Sequence, residues 1–162
     1  MDGKFRKTGD WRKVNMMTRS IQAEMEKSRM LSLKRFGLKV EAVAKMHISN
    51  QDLGWAPLNP KYLAQKIKKG LSNNILVATS SYFQSITSYV ILDTSYTGVK
   101  KHVTEKDGTF VADIAKLHEY GSDSSGIPAR PLWKPTINEV MVWHVSHNSP
   151  AKYLVQSLRK FR

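Results

Sequence analysis

The residues that could do chemistry crowd into one stretch, LHEYGSDSSGIPARPLWKP, Leu117 to Pro135, where His118, Glu119 and Asp123 stand beside a Ser- and Gly-rich tract. A histidine next to a carboxylate can serve as a base and its orienter, given a nucleophile and an oxyanion site within reach. No Ser or Thr stands in a nucleophile-elbow setting, and adjacent residues on a strand or helix point in different directions. A structural His beside a surface Glu is the better reading. His144 and His147 form an H-x-x-H, but zinc needs a third and usually a fourth ligand, and no carboxylate is close in sequence to supply one. GSDSSG is not followed by the Gly-Lys-Ser/Thr of a phosphate-binding loop. The chain has no cysteine, which excludes disulfides, thiolate metal sites and thiolate nucleophiles. These readings favour a protein that is not an enzyme, with no cofactor and no metal.

The same stretch passes from flexible to stiff. Three prolines in IPARPLWKP fix φ and bias the residues before them to extended conformations. A pre-extended strip that starts at Ile127 and carries Arg130, Leu132 and Trp133 suits docking onto another protein, since little entropy remains to be lost and Trp and Arg are favoured anchors. The competing reading is that Leu132 and Trp133 cover the protein's own core.

Size and charge set the frame for these residues. With 162 residues and 41% hydrophobic content the chain fits one domain with one modest core. The start, MDGKFRKTGDWRK, is charged with no apolar stretch behind it, so neither a secretory signal nor a membrane anchor is expected, and the product reads as soluble and intracellular. The net charge of +13 lies at the ends: residues 1–50 carry +7, 51–70 carry +3, 71–126 carry −2 and 127–162 carry +5. Such an excess attracts a polyanion or an acidic surface, or serves only as a solvated face.

The elements that must position these residues follow from periodicity. Residues 11 to 28 read as a helix with Asp10 as N-cap and Trp11, Val14, Met17, Ile21 and Met25 on one face; a second stripe runs from Leu33 through Phe36, Val40, Val43 and Ala44 to Ile48. The stripes lose phase through Ser28 to Leu31, which predicts a kink, a hinge or two helices. Asn59, Pro60 and Gly70 bracket a short helix whose lysines face water. ILVATSS and TSYVILDTSYTGV read as strands, with a turn of helix in SYFQSI between them. Glu105 to Gly108 signals a hairpin, with GTFVADIA as the returning strand and a brief helical turn through AKLHEY. INEVMVWHVSHN is strand-like in composition with a helical option, and the end of the chain is a helix with Leu154 and Leu158 inward. The expected fold is α+β, N-terminal helices packed on a central antiparallel sheet with a short C-terminal helix, all in a single domain, 1–162. Within it lie a basic helical region, 1–50, a core, 51–135, with its loop at 121–135, and a C-terminal segment, 136–162.

The order of these motifs resembles the virion-morphogenesis and tail-completion proteins of tailed bacteriophages, together with the related head-tail joining proteins of the neck. Trp55, Pro57, Leu58, Tyr62 and Lys66 fall on that family's W-x-P-L segment and its following Tyr and Lys. ILVATSSYFQSI resembles its I-L-x-x-T-G-x-L-x-x-S-I segment, with Thr79, Ser85 and Ile86 in place and Ser80 where the family has Gly. Ala115, Leu117, His118, Tyr120 and Gly121 fall on its A-x-I-H-x-F-G element, and Ile127, Pro128, Ala129, Arg130 and Pro131 on its I-P-A-R-P segment; Leu132-Trp133 replace Phe-Leu. The resemblance covers roughly 55 to 135. It implies a structural subunit of the virion neck or head-proximal tail end that catalyses nothing and forms a ring, a hexamer or dodecamer, around the DNA channel. Its implied neighbours are portal or adaptor proteins and tail-terminator or tail-tube proteins, with unspecific contact to genomic DNA and none to a membrane. The alternative is a basic DNA-binding phage protein that holds the genome directly.

Overall fold

One helix organises the architecture of the computed structural model, which describes residues 8–159. α1, Trp11–Asn50, runs for 40 residues, about 60 Å at the helical rise. The Asp10 side chain accepts from the Lys13 amide at 3.0 Å and so starts it. No Gly or Pro interrupts residues 11 to 36, and the break expected near Ser28 to Leu31 does not occur. The hydrophobic stripe fades there because small polar residues carry it. Ser28 and Ser32 are buried, and Ser32 Oγ donates to the Asn148 carbonyl at 2.5 Å while Asn148 Nδ2 donates to the Ser32 carbonyl at 2.8 Å. Small side chains are what such a close approach requires.

Around the C-terminal half of α1 the chain folds α2 (Pro60–Lys68), α3 (Ser81–Ser85), the hairpin β1 (Ile86–Ile91) and β2 (Thr94–Val99), α4 (Val111–Tyr120), α5 (Trp133–His147) and α6 (Pro150–Leu158). The fold is α+β, as the sequence predicts. The sheet is one antiparallel pair, in register from Ile86 opposite Val99 to Ile91 opposite Thr94. It lies on α1 where Gly37 stands; a Cβ there would come within 2.5 Å of Ser95 Oγ. The main core joins Ala44, Ile48, Leu76, Tyr82, Ile86, Val111, Ala115 and Leu132. A smaller one joins Val40, Val43 and Val140, and Trp133 packs against both. Each fully buried aliphatic side chain stabilises by about 1.5–3 kcal/mol.

Three expectations change, and the choice left open for INEVMVWHVSHN is decided. ILVATSS is not a strand, because side chains rather than a neighbouring strand satisfy its backbone. Gln51 Oε1 accepts from the Ile75 amide, Gln51 Nε2 donates to the Ile75 carbonyl, and Lys66 Nζ donates to the carbonyls of Asn74 and Val77. GTFVADIA gives only one bridge, Thr104 to Phe110, before turning helical; buried Val111 and Ala115 are four apart, a helical spacing. INEVMVWHVSHN is the body of α5, with Thr136 and Val140 inward at the same spacing. In α6 the inward residue is Tyr153, and Leu158 is exposed. One lysine of α2 also departs from the solvent-facing expectation: Lys66 is buried.

Candidate functional site

The stretch from Leu117 to Pro135 is fastened to the rest of the chain at both ends. α4 stops at Gly121, whose φ of 75° is left-handed and where a Cβ would meet the Ala129 nitrogen at 2.8 Å; only glycine suits both demands. The Ser-rich tract then closes on itself: Ser122 and Ile127 pair across a bridge, and Ser122 Oγ accepts from the Ser125 amide. Beyond it the Arg130 amide donates to the His118 carbonyl at 2.6 Å.

From here the side chains lock three separate segments together. Arg130 Nε donates to the Ala56 carbonyl at 3.1 Å and its terminal nitrogen to the Pro57 carbonyl at 3.3 Å. Trp55 Nε1 returns a bond to the Pro131 carbonyl at 2.9 Å. Glu119 accepts from the Leu132 amide at 2.8 Å and, more loosely, from the Trp133 amide. No side chain of its own caps α5, so this remote carboxylate satisfies the orphan donors that open it.

The electrostatics fit a structural use. Burial, with Arg130 and Lys66 nearby, pushes the His118 imidazole below its usual range, which keeps it neutral near pH 7. His118 Nδ1 is buried without a hydrogen-bond partner. Burial likewise lowers Lys66, whose ammonium also lies 5.9 Å from the Tyr62 ring centre, and lowers Arg130. Burial raises the Tyr82 hydroxyl, and the Glu119 charge adds to that.

The sequence leaves two readings of the strip, a docking surface and a cover for the protein's own core, and burial favours the second. Arg130 is 4% and Leu132 0% exposed, so neither side chain can reach a partner while the fold is intact. Trp133 is half-buried between the two cores, and Ile127 is part-buried beside the bridge. The positions matched by the resemblance sit as follows. Trp55, His118, Gly121 and the Pro131 carbonyl belong to the lock. Thr79 donates to Glu105 at 2.7 Å, and buried Ser85 donates to the Tyr82 carbonyl at 2.7 Å. Tyr62 is exposed, Pro128 is exposed, and Tyr120 is 76% exposed, outside the core. The Ser80 backbone is left-handed, with φ 67°.

Three groups escape the sequence reading. His47 is buried, its Nδ1 2.7 Å from Asp52 and its Nε2 3.3 Å from Glu139 without hydrogen-bond geometry; the bond with His47 holds the Asp52 carboxyl below its usual range. Asn148 is fully buried and joins Ser32, His144 and the Tyr153 hydroxyl. Lys66 is the third. An Asn between two helices, just before Ser149-Pro150, was the one visible signal among them. The histidines of H-x-x-H point to separate partners, His144 to Asn148 and His147 to Ser146. Among the described residues no group of three or more His, Asp or Glu is placed to hold a metal ion.

Outside the lock, three apolar surfaces lack cover among the described residues. They are the first half of α1, the outer face of α5 with Ile137, Met141, Val142 and Val145, and the hairpin face where Tyr89 stacks on Tyr96 at 5.3 Å. No helix among the described residues is long and apolar enough to cross a membrane. Compared with protein-family models, curated proteins and solved structures, the chain matches none.

Proposed function

We propose that the chain is a structural subunit of a tailed-phage neck, a head-tail connector or tail-completion protein that closes a ring around the DNA channel. The observation that carries this reading is the lock itself. Trp55 to Pro57, His118 to Gly121 and Ile127 to Pro131, pieces of the resemblance as far as 76 residues apart, bond directly to one another. Shared motifs that define a scaffold should interlock in this way. Ser80 adds support, because its left-handed backbone is the conformation for which the family's glycine is suited. The titratable residues of the stretch serve the fold: Glu119 starts a helix and His118 stays neutral in the interior. Extensive uncovered apolar surface suits a protein whose function is assembly. The test is deletion of the gene from the phage that encodes it, followed by electron microscopy. DNA-filled heads and separate tails are expected, and image reconstruction of intact particles should place the subunit at the neck; joined, infectious particles without it would refute the reading.

One observation favours a second reading, direct contact with DNA. On the outer hairpin face a groove of about 370 Å³ brings Tyr89 and Tyr96 together with Lys100, Lys101 and His102 over Gly98. Aromatic rings beside ammonium groups are how stacking platforms hold nucleic acid. In this reading Lys100→Gln with Lys101→Gln lowers the salt slope of binding by about 1.4–1.8, two phosphate contacts' worth. Tight, sequence-selective binding at physiological salt would put this reading ahead of the neck.

A further inference from the structure

The first half of α1 is a helix that outruns its own protein. Every residue from Trp11 to Ala23 is exposed, yet Trp11, Val14, Met17, Ile21 and Met25 share one face, at 50%, 49%, 57%, 40% and 52% exposure. A helix bound for water is polar all round, and one this long and unsupported is marginal on its own. The face is also continuous with an interface already built. At 100° per residue the stripe keeps phase with Ser28 and Ser32, which lie buried beneath Asn148 and α6. α6 follows α1 in the opposite direction until Leu158 reaches Ile21, where the two share a groove of about 360 Å³. Past that point the same face continues with none of the described residues over it.

We infer that a second copy of this chain covers it, the two α1 helices crossing antiparallel near Thr18. The spacing selects this occupant. Trp11 and Met25 each lie seven residues from Thr18, so an antiparallel pair sets each Trp11 against the partner copy's position 25, and Val14 beside position 21. Five half-exposed large side chains on each copy bury on the order of 1,000 Å² in total, the lower bound of a specific interface. The pair leaves the outer face of α5 free for any larger assembly, and it stands apart from the neck reading: it concerns the subunit in solution whatever the subunit is for.

The absence of cysteine makes the test direct. Thr18→Cys, mildly oxidised at about 50 µM, is expected to run as a disulfide-linked dimer, since Cα atoms at a close helix crossing lie within disulfide reach. Val142→Cys, on the equally exposed α5 face, is expected to stay monomeric. Light scattering should give a dimer for the unmodified chain at that concentration, with dissociation at least 100-fold easier for Met17→Glu with Ile21→Glu. A monomeric unmodified chain, or linkage through Val142→Cys and not Thr18→Cys, would overturn the pairing. Neither result bears on the neck reading, which is decided by particles that lack the gene product.

Discussion

Replacing Glu119 by alanine removes the acceptor that opens α5, and the cost can be worked from the geometry. The bond from the Leu132 amide is short, 2.8 Å, whereas the Trp133 amide lies 3.4 Å from both carboxylate oxygens, so one strong bond dominates. A buried amide bonded to a charged acceptor contributes about 1.5–3 kcal/mol. The favourable placement of a negative charge at a helix N-terminus adds roughly 0.3–1 kcal/mol, part of which the bond already includes. The expected loss is therefore about 2–3 kcal/mol, a fall in Tm of roughly 4–12 °C for a chain of this size. Glu119→Gln keeps an acceptor oxygen and loses the charge, and should cost about 1 kcal/mol. Calorimetry at pH 7.5 measures both, and amide exchange should quicken at Leu132 and Trp133 first. Were the carboxylate there for chemistry, alanine would leave Tm unchanged; a shift within error of zero refutes the capping argument.

Other substitutions test neighbouring parts of the same structure. Leu132→Ala opens a cavity in the main core and should cost about 2–5 kcal/mol by urea denaturation, where a docking residue would cost almost nothing in the isolated subunit. Ser80→Gly relieves a left-handed serine and should raise stability by about 0.5–1 kcal/mol, read as a higher urea midpoint with unchanged slope. His118 has a folded pKa below its unfolded value of about 6.5, so the unfolded chain binds the proton first. Its contribution is whole above about pH 6.5 and is lost as pH falls from there through the folded value. Denaturation of the unmodified chain and of His118→Gln at pH 7.5, 6.5 and 5.5 should show a steeper decline for the unmodified chain; parallel curves would count against a buried neutral imidazole.

Local signals survive translation from sequence to structure best. Asp10 caps α1 and Asn59 caps α2, each through its own side chain, because a cap is a contact within one turn. Asp107-Gly108 forms the expected turn, with Gly108 left-handed and the Asp107 carboxylate accepting from the Thr109 amide. What fails depends on partners far along the chain. ILVATSS has strand composition, but Lys66 and Gln51 take its backbone groups before a neighbouring strand can. GTFVADIA alternates and is also spaced for a helix, and the burial of Val111 and Ala115 on one side decides between the two. The hinge expected at Ser28 to Leu31 rests on treating serine as a gap in an apolar stripe, when Ser28 is buried and Ser32 takes the close approach of Asn148. The docking strip fails for a similar reason. Prolines do extend it, but nothing local states that Arg130 has carbonyls to bond at Ala56 and Pro57, more than 70 residues away.

The segments inside and outside the resemblance carry different parts of the structure. Residues 55 to 135 supply the lock and most of the main core, and their distinctive side chains are largely consumed there. The parts that remain free to meet another molecule lie mostly beyond: the first half of α1 before it, and the outer faces of α5 and α6 after it. Composition follows the same division, since the excess positive charge is concentrated toward both ends of the chain while 71–126 is slightly acidic. A scaffold that must keep its shape in many settings has reason to hold its motifs inside, where packing penalises change. A subunit that must recognise particular neighbours has equal reason to put recognition on surfaces that can vary without disturbing that packing. Damage should therefore divide in the same way. Substitutions at Arg130 or Leu132 are felt as loss of the fold, and those at Met17 or Val142 as loss of assembly by a subunit that still melts normally.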